Sequence, residues 1–510
     1  MKRRLLDHPW LLLMVILAIG AGTRIARCGF EGLTFDEQWH MELSTGRGSY
    51  HVGMPRDQYI LQAPASTSLK GAAPVTAIWT HITYAVHPPL YFITLRIWRE
   101  IFGEGDAPAQ ALSIFCSLIA IVLMFEAARR LNGLVPALWA ALIFAVAPTQ
   151  AWVDQLVRGY AMLQMVGMAT VLALVMLKTS PDKSAIKSAA LGVLALAMML
   201  THYFAIAPLL GVGVFVLIGL RSKARWQALT ALVCAAIIYS IIWLPFMLRQ
   251  RQDVVDADAW LKKEDAVKMA IIRTATWPWR LIADTGLEDH PQPWPYLSAA
   301  MFVLPLVFMR RRPDMLLWYV WMASALGFIG VLDAVRGTTN SRFARYVIQA
   351  GPAVFVLFAV LVSLLPKWLA RPIPLALVAA ALGMSWVIYI PEQGDLRPIG
   401  TFLDAHVTDS EPVIFYSGDL PEYFRGIYFL AGAHYSHQFP RPAMELSKPP
   451  GDALLRSIPH ATAWVVSSPL PANGMAERFP SAQILEQYDL IRLATIAHIR
   501  LPTTMPATQP

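Results

Sequence analysis

The chain has 510 residues, 56% of them hydrophobic and 15% charged, against about 25% charged in a soluble domain. Apolar stretches of about 17–25 residues recur over most of its length, which excludes a soluble globule and indicates a polytopic membrane protein. The formal net charge of +8 is not read as nucleic-acid binding, because most Lys and Arg lie in short connections between apolar runs, as the positive-inside bias expects.

The first apolar stretch, near 10–23, follows Lys2, Arg3 and Arg4. It reads as an uncleaved signal anchor with a cytoplasmic N-terminus, because the apolar stretch continues towards Ile25, with a cleaved signal peptide as the alternative. A loop over about 24–86 then carries Asp36, Glu37, His40, Tyr50, His51, Arg56 and Asp57. HPPLYFITLRIWREIFG at 87–103, with Arg96, Arg99 and Glu100, suits an interfacial amphipathic or re-entrant helix, unless another crossing is hidden between 24 and 86. Further spans are expected near 110–127, 133–150, 159–177, 186–200, 204–220, 227–248, 296–309, 314–331, 346–365 and 373–390. The clusters Arg129/Arg130, Lys178/Lys183/Lys187, Arg221/Lys223/Arg225, Arg310/Arg311/Arg312 and Lys367/Arg371 alternate without conflict if all are cytoplasmic. The total is then odd, about 11 or 13, and everything after 391 lies outside.

That region changes character. EPVIFYS at 411–417, TAWVVSS at 462–468 and LIRLATIAHIR at 490–500 read as strands with helices between them. The chain thus divides into a membrane module over 1–391 with an outside first loop, a small α/β domain over 392–500, and a Pro- and Thr-rich tail over 501–510 expected to be disordered. Cys28, Cys116 and Cys234 form no disulfide framework and no metal-ligand spacing. No internal repeat and no phosphate-cradling glycine loop is present.

The polar residues of interest fall in the outside segments. WVDQLVRGYAM supplies Asp154, Arg158 and Tyr160; THYF at 201–204 supplies His202; a charged loop over about 249–295 holds Trp277, Trp279 and Trp294; LDAVRGTTNSRFAR supplies Arg342 and Arg345. Asp36, Arg158, His202 and Arg345 stand at the edges of apolar runs, where a charge is partly desolvated and usually has an assigned role.

These segments resemble a known family. FDEQWH after the first span is similar to the acidic motif of the GT-C membrane glycosyltransferases. HPPLYFITLRIW, QLVRGYAMLQMVGMATVLAL, THYF and RYVIQAGPAVFVLFA follow in the order found in the bacterial dolichyl-phosphate-mannose–protein mannosyltransferase-like family, whose wider circle includes aminoarabinose transferases. The family's EAR triplet is VRG here, so Val157 stands where a glutamate is usual, and Asp154 is the candidate to replace it.

The resemblance implies a multi-pass glycosyltransferase of a bacterial inner membrane. It would move a sugar, with inversion, from a polyprenyl-phosphate donor to a lipid, glycan or protein acceptor outside the cytoplasm. Asp36 is the expected general base. Glu37 is a second catalytic candidate that equally suits a helix N-terminus. Arg345 is the expected cation for the departing lipid phosphate, with Arg342 and Arg158 as alternatives and His87, Tyr160 and His202 as donor-binding residues. A divalent ion is compatible with the Asp, Glu and His present, though no spacing demands one. The rival readings are a lipid or solute transporter or flippase, and a GT-C-like assembly subunit without activity. The transferase reading requires residues 36 and 345 to share one chamber on the outer side.

Overall fold

The computed structural model describes residues 8–26, 28–29, 32–82, 84–180, 182–253, 266–283, 295–387, 395–408, 410–418, 420–421, 424–471, 474–490 and 493–502. The basic residues Lys2, Arg3 and Arg4, Trp294, and the tail from 503 onward lie outside the described residues. The chain forms two compact units. A helical unit comprises residues 1–28, 86–91 and 107–390; an α/β unit comprises 29–85, 92–106 and 391–510. The last boundary, between 390 and 391, falls where the composition changes, and residues 29–85 of the first loop are part of the α/β unit.

In chain order the elements used below are α1 (Pro9–Ile25), α2 (Phe35–Leu43), β1 (Ile60–Ala63), α3 (Leu90–Phe102), α4 (Asp106–Asn132), α5 (Leu134–Val146), α6 (Pro148–Val153), α7 (Tyr160–Thr179), α8 (Ser184–Thr201), α9 (Ile206–Gly219), α10 (Ser222–Ile242), α11 (Ala266–Ala283), α12 (Leu316–Arg336), α13 (Gly351–Ser363), α14 (Arg397–His406), β2 (Val413–Tyr416), α15 (Ile427–Tyr435), β3 (Arg441–Leu446), β4 (Thr462–Ser467), β5 (Gln483–Leu490) and β6 (Ala494–Arg500).

Among the described residues seven helices are long and apolar enough to cross a membrane, and four more are apolar but shorter: Pro9–Ile25, Leu134–Val146, Tyr203–Gly219 and Ser298–Phe308. Each of the eleven apolar stretches read from the sequence coincides with one of these helices. The protein is a multi-pass membrane protein. The stretch 249–295, read as a wet loop, contains the 18-residue helix α11. Lys268, Arg273 and Arg280 weaken its hydropathy signal, while Trp277 and Leu281 are buried in the bundle.

The helical unit is fastened by one polar network. Pro148 opens α6 and has no N–H, so the carbonyl of Phe144, four residues earlier, has no helical donor. Arg24, fully buried on α1, supplies it: Nη2 donates to Phe144 O at 3.2 Å and Nη1 to Ala145 O at 2.8 Å. The guanidinium also donates to Asp154 Oδ2 from Nη2 at 2.7 Å and from Nε at 3.1 Å. Ser117 donates to the same oxygen at 2.5 Å, and Gln150 to Oδ1 at 2.8 Å. A buried ion pair is tolerable only when its remaining donors and lone pairs are filled in this way.

The α/β unit is a six-stranded sheet of order β1-β3-β2-β4-β6-β5. β2 runs parallel to β3 and to β4; the other pairings are antiparallel. Both faces are covered: Val413, Phe415, Ala443 and Val466 face one core, Ile414, Met444, Leu446 and Val465 the other. This is why VIFY reads as an unbroken apolar run rather than an alternating one. The three strands expected after 391 correspond to β2, β4 and β6. β1 comes from the first loop and adds to the edge of β3, with Ile60 opposite Ala443 and Ala63 opposite Arg441. Phe35 of α2 lies in the same core as Leu403, Phe415 and Phe429.

Glu445 on β3 is buried in this unit and accepts from Ser417 Oγ at 2.7 Å. Burial pushes its carboxyl up to about 7, against the opposing pull of the Ser417 hydroxyl, Arg56 and Arg425. A raised carboxyl binds its proton in the folded state at pH values where the unfolded chain has released it. Stability therefore falls as pH rises from about 4.5 towards 7, by about 3 kcal/mol at most. The thermal midpoint of the protein should drop across that window, and Glu445→Gln should flatten the drop.

Candidate active site

Two groups of the expected site residues are built, one in each unit. In the α/β unit, FDEQWHMEL forms α2, nine residues long, with Thr34 in extended conformation as its N-cap. Glu37 Oε2 accepts from the Thr34 backbone N–H at 2.9 Å and from its hydroxyl at 2.8 Å. This is the returning half of a capping box. Asp36 is the second residue of the helix and is 4% exposed. The orphan N–H groups and positive dipole end of a helix favour an ionised carboxylate at that position. His40, one turn on, lies with Nδ1 2.6 Å from the Asp36 carbonyl. A carbonyl only accepts, so Nδ1 carries the proton. Glu42 on the inner side holds His51, with Oε2 2.5 Å from Nδ1 and Oε1 accepting from the His51 backbone at 3.1 Å.

In the helical unit, His87, Arg158, Tyr160 and His202 come together. Arg158 Nη2 lies 3.5 Å from His87 Nε2, and the Arg158 guanidinium stands 5.4 Å from the Tyr160 ring centre. The His202 ring is 5.1 Å from that of His87 and 5.2 Å from that of Tyr160. His202 Nδ1 accepts from the Phe204 N–H at 3.1 Å, so a neutral ring carries its proton on Nε2. That nitrogen is buried and has no hydrogen-bond partner among the described residues. The aromatic chain continues from His202 to Phe204 and on to Tyr346, and Arg345 stands 5.3 Å from the Tyr346 ring centre and 4.9 Å from that of Phe343. Arg342 ends the short turn Asn340–Arg342. Both arginines are half-buried.

Three supporting residues were not evident from the sequence. Asp333 is fully buried and organises the turn before Arg342. Its Oδ1 accepts from Thr338 Oγ1 at 2.7 Å and from the Asn340 N–H at 2.8 Å, and its Oδ2 from the Ser341 N–H at 2.6 Å. The signal was present as an aspartate followed by TTNS, a loop-capping composition. Tyr203 and Gln250 hold His87: Tyr203 Oη donates to Gln250 Oε1 at 2.5 Å, and Gln250 Nε2 donates to the His87 carbonyl at 3.2 Å. Asp154, the candidate for the missing glutamate's role, is fully buried against Arg24, Ser117 and Gln150. Among the described residues no three His, Cys, Asp or Glu side chains converge as metal ligands.

The engagement of Glu37 with Thr34 generates a prediction. Gln also completes a capping box, so Glu37→Gln should keep turnover within about three-fold of wild type, whereas Glu37→Ala should cost the helix about 1 kcal/mol. Both are checked by activity and thermal melts of the purified protein; a complete loss in the Gln variant would assign Glu37 to chemistry.

Residues 86–243 match the family model described as dolichyl-phosphate-mannose-protein mannosyltransferase. No curated protein matches the sequence. Among solved structures, ArnT from Cupriavidus metallidurans bound to undecaprenyl phosphate is similar with a TM-score of 0.58 at 14% identity, over 96% of this chain and 98% of that one. Its apo form aligns with a TM-score of 0.58 at 15% identity, over 96% and 97% of the two chains. The Archaeoglobus fulgidus oligosaccharyltransferase in complex with Zn and sulfate has a TM-score of 0.53 at 13% identity, over 90% of this chain and 68% of that one. The chain therefore has the GT-C fold over nearly its whole length and, across residues 86–243, the sequence pattern of the dolichyl-phosphate-mannose-protein mannosyltransferases.

Proposed function

We propose that the protein transfers a sugar from a polyprenyl-phosphate donor to an acceptor on the extracytoplasmic side of a bacterial inner membrane, with inversion at the anomeric carbon. The observation that carries this reading is a carboxylate, Asp36, kept almost wholly buried in the first turn of a helix. A carboxylate held in the first turn of a helix stands where the helix dipole favours its charged form, which suits a general base. The fold shared with ArnT and the oligosaccharyltransferase supports it.

In the proposed reaction the acceptor hydroxyl or amine gives its proton to Asp36 as it attacks the anomeric carbon. The bond from that carbon to the phosphate oxygen breaks on the opposite face, and the lipid phosphate leaves with the electron pair. Arg345 binds the departing oxygens; its planar fork matches phosphate geometry. Arg158 and the His202 Nε2–H add donors where negative charge grows, which favours the transition state over the ground state. Tyr160 and His87 line the same donor region, and Arg342 is a second phosphate ligand. Glu37 acts by holding the turn that carries Asp36.

Two outcomes follow. Asp36→Asn should lower turnover by about 10²–10⁴-fold while expression and melting stay unchanged; near-normal turnover would remove the base assignment. Arg345→Ala should weaken binding of undecaprenyl phosphate by about ten-fold, more than Lys367→Ala does. Equal effects in a binding titration would point to general membrane electrostatics.

A further inference from the structure

A nine-residue helix leaves its last four carbonyls without helical donors. At the far end of α2 the turn that follows meets them: Ser44 N donates to His40 O at 3.1 Å, Ser44 Oγ to Met41 O at 2.7 Å, Thr45 Oγ1 to Glu42 O at 2.7 Å, and Gly46 N to Leu43 O at 3.1 Å. α3 adds charged donors to the same turn and fixes it in place. Arg99, 2% exposed, donates from Nη1 to Met41 O at 2.9 Å and to Ser44 Oγ at 2.7 Å, and from Nη2 to Thr67 O at 2.7 Å. Arg96, 7% exposed, donates from Nη1 to Thr45 O at 3.1 Å and from Nε to Glu100 at 2.6 Å.

Phe92, Leu95, Arg96 and Arg99 share the buried face of α3, and Phe92 packs 5.0 Å from the His40 ring. Ile97, Ile101 and Phe102 are exposed on the other face. The helix is amphipathic, but two of its charges point inward, onto the carbonyl end of the helix that carries Asp36. At 13 residues it is also shorter than the roughly 20 that span a bilayer. Burial pulls the Arg99 guanidinium down to about 10, so it keeps its charge at neutral pH. A cation there complements the negative dipole end of α2.

We infer that Arg96 and Arg99 are positioning residues for Asp36: by clamping the carbonyl end of α2 they fix where the carboxylate at its other end stands. Thr34 and Glu37 hold the first turn, the two arginines hold the last, and the helix between is short enough that a shift at one end moves the other. A displacement of about 1 Å at a reacting group costs about 10²-fold in rate. Lysine keeps the charge but not the two-pronged grip. The inference rests on the proposed role of Asp36.

The test uses the full-length protein in lipid nanodiscs, with the phosphoprenol-linked lipid fraction extracted from cells lacking the protein as donor. Arg99→Lys should lower kcat by about ten-fold and Arg99→Met by about a hundred-fold per folded molecule. KM for the donor fraction and affinity for undecaprenyl phosphate should stay within about two-fold. Arg441→Lys serves as comparison. Arg441 is equally buried in this unit and binds the carbonyls of Thr408 and Glu411, away from α2; its variant should lower the thermal midpoint without changing kcat. Should Arg99→Met not fold, Arg96→Gln, which retains a donor for Thr45 O, should still show the kcat-specific loss. Unchanged kcat in the folded Arg99 and Arg96 variants, or a loss no larger than that of Arg441→Lys, overturns the inference. If Asp36→Asn keeps its turnover, the base assignment itself fails; if that variant is inactive while the arginine variants are not, only the clamp fails.

Discussion

A helix of nine residues is too short to persist on its own in water, and the standing of Asp36 depends on what holds that helix at its ends. The side-chain carboxylate of Glu37 takes up the Thr34 backbone N–H at the start. Guanidinium groups take up carbonyls at the finish. Between them Phe35 is anchored in the core beneath the sheet, 5.8 Å from Phe424, and the Leu33 N–H meets Tyr435 Oη at 2.5 Å. The first loop is thus not a flexible excursion between membrane spans. It contributes a strand to the sheet and a helix to its core, so the acidic motif is mounted on the α/β unit.

The helical unit meets a related constraint with different residues. A proline break in a bundle exposes carbonyls that lipid cannot satisfy. Arg24 reaches them, and Asp154 with Ser117 neutralises and completes Arg24. This fastening lies four residues before Arg158, in a turn where the Arg158 N–H donates to Leu156 O at 2.7 Å. The buried ion pair therefore holds the segment that delivers Arg158 and Tyr160. Val157 stands in the place of an acidic residue and is itself wholly buried, so the segment carries a valine where the family pattern has a carboxylate, next to Arg158 and close to Tyr160.

The membrane helices were legible because hydropathy is a sum over many residues and survives local exceptions. α11, a helix that is not among those apolar enough to cross a membrane, was not read, because three basic residues on a helix with a buried apolar face hid the pattern. β2, β4 and β6 were legible as apolar runs flanked by polar turns. β1, β3 and β5 were not. ILQA lies in a loop and pairs only at an edge, RPAMEL carries a proline and a glutamate, and QILEQYDL is half-exposed along its length. Of the candidate residues, Asp36 in the α/β unit and Arg158, His202 and Arg345 in the helical unit stood out because a charge or imidazole at the edge of an apolar run is conspicuous. Arg24 and the inward roles of Arg96 and Arg99 did not, because each is defined largely by backbone carbonyls of other segments. Hydrogen bonds to backbone leave no trace in the identity of the partner. Glu37 reads from the sequence as suited to a helix N-terminus as well as a catalytic candidate, and the structure shows its carboxylate engaged with Thr34 there.

The most direct test of the account is mass spectrometry of the polyprenyl lipids in cells that lack the protein, set beside cells that contain it. The account predicts accumulation of one glycosyl-phosphoprenol in the former and its return to the ordinary level when the wild-type chain is restored. An unchanged pool of phosphoprenol-linked sugars, with no glycan lost from the cell envelope, would contradict it.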